Sequence, residues 1–211
     1  MSEKKAMRQI QSVTGRTDKQ RTYQEHMQRY KKAIQNGFFL EAIMIDYACL
    51  EDRLRYMLYH IGVIGSESDY RVAGKSQRVR AFREILHEYV GPKENMSIMT
   101  IRSKRQIVRS ILLLANGIEK PKDDDKRRLL LWNALHDNEH IAEAISILDE
   151  IEQWCAYRNE IVHSLLNKNL DSLHERLEQQ AVKGYQLFRS LDRQVRWVKG
   201  KNLREKLGLK P

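Results

Sequence analysis

The sequence has few of the residues that break helices or form turns. Only 3 of its 211 residues are proline, one of them the last, and 10 are glycine. A sandwich or barrel of many short strands needs more turn residues than this. The composition therefore favours an all-α fold, and 211 residues suffice for one domain with a sizeable core.

Long apolar segments and a cysteine framework are also lacking. The longest apolar run near the middle covers residues 111–115, and the mean hydropathy is −0.65. A membrane-spanning helix needs about 20 apolar residues, and a secretory signal needs an apolar segment after its charged start, so neither is expected. Cys49 and Cys155 lie within apolar helical patterns. This placement predicts free thiols and a cytoplasmic protein.

Acidic residues are scarce relative to basic ones. The chain has 28 Asp and Glu against 38 Lys and Arg, which gives a formal net charge of +10. Basic residues concentrate in three stretches, residues 1–36, 71–83 and 189–210, a distribution that fits a polyanion better than one amphipathic membrane anchor. We therefore expect contact with nucleic acid and none with a membrane, although solvated helix faces alone also explain such charge. The candidate contacts are Arg78, Arg80, Arg83, Arg193, Arg196, Lys199 and Lys201.

Apolar residues recur at spacings of three and four along most of the chain, which predicts amphipathic helices. The expected organisation is a polar arm or outer helix over residues 1–36, a helical bundle over 38–195 and a basic tail over 196–211. No strand pattern competes with the helices. The predicted helices cover residues 38–61, 76–90, 104–115, 129–135, 139–167 and 171–199, with an exposed charged loop at 119–128.

The long helix over 139–167 has a charged residue on its predicted inward stripe. Arg158 continues the stripe that contains Cys155, and a buried charge is costly unless it has a partner or a function. Asn159 and His163 follow in the string RNEIVH. They are four residues apart and share a face, whereas Arg158 and His163 lie about 140° apart around a regular helix. A break near residues 157–158, or a second copy of the helix across a dimer axis, would bring the two groups together.

At these residues the chain resembles the HEPN domains (higher eukaryotes and prokaryotes nucleotide-binding). They are helical bundles, and many are metal-independent ribonucleases with an Arg, a polar residue and a His four to six residues past the Arg. Arg158, Asn159 and His163 match this motif, and the segment YACLEDRLRYML resembles an earlier helix of the family, with Glu51 where a polar residue often faces the motif. The resemblance implies a HEPN-like antiparallel bundle with added peripheral helices. It also implies a toxin, abortive-infection or antiviral defence role, with an antitoxin or a regulatory RNA or protein as partner.

The residues suit the chemistry that the resemblance implies. RNA carries its own nucleophile, so cleavage needs a base for the 2′-hydroxyl, an acid for the 5′-oxygen and positive charge at the phosphorus. A histidine titrates in the right range for proton transfer, and an arginine can bind two phosphate oxygens. We expect a homodimer in which one His163 is the base and the other the acid. Neither a metal nor a cofactor is required.

Several alternatives stand beside this hypothesis. Arg158 would be purely structural if it paired with a buried carboxylate, and the two candidates, Asp46 and Glu51, are also the expected supporting polar residues of the site. The bundle would then be a non-catalytic RNA- or protein-binding module, or a structural protein. His136 and His140 are spaced like half of a zinc site, but no further ligand set accompanies them.

Overall fold

The computed structural model describes residues 16–65, 71–73, 95–97, 100–117, 126–164, 167 and 170–208. The fold is all-α, as the composition predicts. Two three-residue strands, which the sequence did not predict, pair antiparallel with Val72 opposite Met96. The elements are α1 (Arg16–Gln35), α2 (Phe39–Ile61), β1 (Arg71–Ala73), β2 (Asn95–Ser97), α3 (Ile101–Ala115), α4 (Lys126–Leu135), α5 (Asn138–Ser164), α6 (Leu170–Gly200) and α7 (Leu203–Lys206).

The predicted helix boundaries agree within three residues wherever the structure describes the predicted helix. The expected helix over residues 76–90 lies outside the described residues. Residues 126–128, which we expected in an exposed loop, instead form the first turn of α4. Charged residues occur on helix faces as well as in loops, so a run of charges does not by itself distinguish a loop from a helical turn.

Helix α2 is the central element of the bundle. It packs against α1, α3, α6 and α7, and its most extensive contact is with α6. Ile43, Leu50 and Leu54 are fully buried along its length, and each such side chain contributes roughly 1.5–3 kcal/mol when it leaves water. Gly62 ends the helix in the left-handed conformation, at φ 94°, which a residue without a β-carbon adopts at little cost.

The first and last described helices both pack onto this central helix. Residues 16–35 form an outer helix, α1, whose Tyr30 hydroxyl donates to the Ala181 carbonyl 3.2 Å away in α6. Within the predicted basic tail over 196–211, α6 continues to Gly200 and α7 follows at Leu203–Lys206. Arg204 is buried there and donates to the carbonyls of Tyr59 and Ile64, at 3.0 and 2.9 Å. A cation at the carboxyl end of α2 also interacts favourably with its helix dipole.

Helices α2, α5 and α6 meet at Gly184 with no room for a side chain. A β-carbon added there would lie 2.7 Å from Cζ2 of Trp154 and 2.8 Å from Oδ2 of Asp46. Trp154 is held in place because its indole N–H donates to the Gln180 carbonyl 2.9 Å away, one turn before the glycine. The glycine therefore sets how closely the three helices approach.

Asp46 is fully buried at this junction. Neither carboxyl oxygen has a hydrogen-bond partner among the described residues. Burial disfavours the charged form and raises the pKa of Asp46 to about 8. The side chain is therefore mostly a neutral acid at pH 7.

We expect Gly184→Ala to destabilise the protein. The added methyl group forces Trp154 and Asp46 apart, which costs about 1–3 kcal/mol, and this exceeds or offsets the gain of about 1 kcal/mol in helix propensity. Gly200→Ala is the matched control, because an added β-carbon meets nothing within 4 Å there. Urea unfolding measures both variants, and a Gly184→Ala protein more stable than the Gly200→Ala protein would contradict the close approach.

Asp46 should make the stability depend on pH. Its pKa of about 8 in the folded chain exceeds the value near 3.9 of an unfolded Asp. The contribution of Asp46 to the free energy of unfolding is therefore fully present below about pH 4. It falls by up to about 1.4 kcal/mol per pH unit between pH 4 and 8, and it does not change further above pH 8. Urea unfolding from pH 5 to 9 should show a shallower decline for Asp46→Asn than for the wild type, and equal declines would contradict the burial of an unpaired acid.

Candidate active site on helix α5

Arg158 lies at the edge of the buried face of α5. The buried residues around it are Trp154, Ile161 and Ser164, whereas Arg158 is half-buried. The inward stripe is thus rotated from the predicted one, and the arginine lies on its flank. This position lets the guanidinium keep part of its contact with water and lowers the cost of burying its charge.

The guanidinium of Arg158 rests on side chains of α2. Its central carbon lies 4.7 Å from the centroid of the Tyr47 ring, within cation–π range. Its Nη2 donates to the Met44 sulfur at 3.0 Å, and its Nη1 donates to Oδ1 of Asn159 at 3.0 Å. Its Nε is buried and has no acceptor in the part of the chain that the structure describes.

The two carboxylates proposed to accompany Arg158 are engaged or placed elsewhere. Glu51 accepts a hydrogen bond from Lys104 of α3, with 2.6 Å between the atoms, and Lys104 is fully buried. Asp46 lies at the Gly184 junction. No described carboxylate forms an ion pair with Arg158, so the structural alternative of a buried acidic partner is not realised within these residues.

His163 is exposed one turn beyond Asn159. Helix α5 runs from Asn138 to Ser164 without interruption, so the break considered near residues 157–158 does not occur. Arg158 and His163 therefore project about 140° apart and about 7.5 Å apart along the axis. The Asn159 amide oxygen accepts a hydrogen bond from Arg158 rather than from the His163 imidazole. One copy of α5 accordingly places the cation and the imidazole on different sides.

Two other side chains beside Arg158 are poorly suited to proton transfer. Burial raises the pKa of the Cys155 thiol to about 11, against a lowering by Arg158 and Arg105. Burial and the charge of Glu51 raise the pKa of Tyr47, against a lowering by Arg158. Both groups keep their protons at neutral pH. This leaves His163 as the candidate base or acid among the motif residues.

Tyr47 and Met44 are the site residues that sequence reasoning missed in this role. The signal was present, because residues 44, 47 and 51 follow helical spacing and form one stripe of α2. What the spacing does not show is that α5 crosses this stripe at Arg158.

The described basic candidates lie on or just after α6. Arg193 and Arg196 are 65% and 78% exposed, and their nearest carboxylates are Glu143 at 3.8 Å and Asp192 at 2.6 Å. Lys199 lies 3.5 Å from the Tyr56 hydroxyl. Lys201 differs, since it covers the Trp197 ring at 5.1 Å. Arg78, Arg80 and Arg83 lie outside the described residues.

Arg189 extends this row, although the sequence analysis did not select it. It is exposed, and its only described polar contact is with the Tyr185 hydroxyl at 3.3 Å. Spacings of four, three and three residues place four cations on the outward side of α6, over about 15 Å. We call Arg189, Arg193, Arg196 and Lys199 the α6 basic stripe. Within the described chain, Arg189 and Lys199 have no carboxylate partner.

His136 and His140, which are spaced like half of a zinc site, contact aromatic rings and a carboxylate instead. His136 stacks on Trp132, with ring centroids 4.0 Å apart. His140 stacks on Trp197 and lies 3.1 Å from the carboxylate of Asp137. Within the described ranges, no group of three or more His, Cys, Asp or Glu side chains is placed to hold a metal.

Two further findings bear on the class of protein. No helix among the described residues is both long and apolar enough to cross a membrane. No protein-family model, no curated protein and no solved structure matches the chain. The HEPN resemblance therefore depends on the motif and on the helical architecture.

Proposed function

We propose that the chain is a metal-independent endoribonuclease that uses Arg158, Asn159 and His163. The observation that carries the proposal is a half-buried guanidinium that no described carboxylate neutralises. Such a cation keeps its attraction for a phosphodiester, and it lies on the same helix as an exposed imidazole. The toxin or phage-defence role, and a controlling antitoxin, belong to this proposal through the HEPN resemblance alone.

The reaction transfers a phosphoryl group within the RNA. His163 removes the 2′-hydroxyl proton, O2′ attacks the phosphorus, and the bond to O5′ breaks while an acid returns a proton to O5′. The products are a 2′,3′-cyclic phosphate and a 5′-hydroxyl, and no water is consumed. Arg158 binds the non-bridging oxygens, whose negative charge grows in the transition state.

The uninterrupted α5 supports a homodimer as the active form. Because Arg158 and His163 project about 140° apart, one helix does not direct both at one phosphate. A second copy of α5 across a twofold axis supplies the opposing imidazole, so that one His163 is the base and the other the acid. The site is incomplete in one chain under this mechanism.

Arg158→Ala and His163→Ala should each lower cleavage of single-stranded RNA by about 100-fold or more, in the presence of EDTA. A denaturing gel of 5′-labelled RNA measures the rate and identifies the cyclic phosphate end. Arg21→Ala and His26→Ala are matched controls, because this pair has the same spacing on α1 and should be dispensable. Cleavage abolished by EDTA, or full activity of His163→Ala, would contradict the mechanism.

A second candidate function is RNA binding without cleavage, and the α6 basic stripe favours it. Four exposed cations on one helix face attract a phosphate backbone and release its counterions. The stripe would also hold substrate for the nuclease. Wild-type protein that binds RNA but does not cleave it would favour the binding function.

The stripe makes binding depend on salt. Arg193→Ala/Lys199→Ala should reduce the slope of log Kd against log[KCl] by about 1.4 for a single strand, at roughly 0.7 per cation removed. Fluorescence anisotropy with a labelled 2′-O-methyl oligouridine, which cannot be cleaved, measures the slope. Lys31→Ala/Lys32→Ala removes equal charge from the exposed side of α1 and should change it much less. Equal effects of the two pairs would mean that net charge, and not the stripe, governs binding.

A further inference from the structure

The Arg158 guanidinium is held by the Tyr47 ring and the Met44 thioether, neither of which neutralises its charge. We propose that Tyr47 is a positioning residue that holds the Arg158 guanidinium in the orientation that binds an RNA phosphate. The Met44 sulfur accepts a hydrogen bond from Nη2 of Arg158 in the free protein, and a phosphate oxygen replaces the sulfur as the acceptor when RNA binds. The identity of the anion as RNA rests on the proposed function. The arrangement of the three side chains does not.

The donors of Arg158 are mostly uncommitted. A guanidinium has five N–H groups. Asn159 uses one of them on Nη1, Met44 uses one on Nη2, and the Nε–H has no described acceptor. A thioether is a weak acceptor, whereas a phosphate oxygen forms a charge-assisted bond about twice as strong as a neutral one. An arriving phosphate therefore replaces the sulfur with a gain in bonding.

Met44 is able to leave without disturbing the core. Its side chain is 46% exposed, on the outer stripe of α2. An unbranched thioether also changes rotamer easily. The Nη2 donor is thus shielded in the free protein by a group that moves at low cost.

Tyr47 holds the cation without consuming any donor. A ring attracts the guanidinium through its π face, at 4.7 Å here, and leaves the N–H groups at the edge for a ligand. A carboxylate in this place would occupy two of them and cancel the charge. The nearest acid on the same stripe, Glu51, is bound by Lys104. The Lys104–Glu51 pair therefore engages a carboxylate that would otherwise be free to pair with Arg158.

A double-mutant cycle tests the proposal with full-length protein and a labelled 2′-O-methyl oligouridine at fixed salt. Tyr47→Phe keeps the ring and should bind within twofold of the wild type. Tyr47→Leu should weaken binding about threefold to tenfold. Arg158→Ala should weaken it at least as much, and Tyr47→Leu/Arg158→Ala should be no weaker than Arg158→Ala alone. Additive losses, or a Phe variant as weak as the Leu variant, would overturn the positioning role.

A second measurement separates positioning from folding. In the ¹⁵N–¹H spectrum, the Arg158 Nε–H signal should show a ring-current shift in the wild type and in Tyr47→Phe but not in Tyr47→Leu. Met44→Leu removes the sulfur and should bind the oligonucleotide equally well or up to about twofold more tightly. A tenfold loss in Met44→Leu would show that the thioether supports binding and would overturn its role as a displaceable group.

These results are independent of catalysis because the oligonucleotide has no 2′-hydroxyl. If wild-type protein cleaves no RNA but the cycle is non-additive, the nuclease function is wrong and the anion site stands. If cleavage depends on Arg158 but the cycle is additive, the nuclease function stands and the role of Tyr47 is wrong.

Discussion

The close contact at Gly184 determines how the candidate site is assembled. Helices α2 and α5 both press against this glycine, through Asp46 and Trp154. Tyr47 follows Asp46 directly, and Arg158 lies one turn after Trp154. The ring and the guanidinium therefore lie next to residues that contact the glycine.

The bundle buries several charged or ionisable groups, and their surroundings differ. Lys104 and Arg105, which are neighbours on α3, form ion pairs with Glu51 of α2 and Glu152 of α5. Arg204 binds the carbonyls that follow and end α2. Asp46 remains protonated at neutral pH, because burial without a partner disfavours its charge. Removing a partner of Lys104, Arg105 or Arg204 would leave a buried polar group without that hydrogen bond, which is costly.

Arg158 differs from Lys104 and Arg105 because no described carboxylate pairs with it. A ring, a thioether and an amide oxygen hold it in place and leave its charge intact. This arrangement is an observation that supports the proposed site for an external anion, and the net charge of +10, part of it on the α6 basic stripe, supports the proposal of a polyanion.

The sequence by itself determined the helices and the candidate motif, because these depend on spacings within one element. The periodicity of α2, the length of α5 and the RNEIVH string follow from local order alone. Only the tertiary structure decided which groups meet across helices. Lys104 binds Glu51 from 53 residues away, and Arg158 reaches Met44 across 114. Helical spacing shows which side of a helix a residue occupies, but the neighbour facing that side depends on how the helices pack against one another, and spacing within one helix does not contain that information.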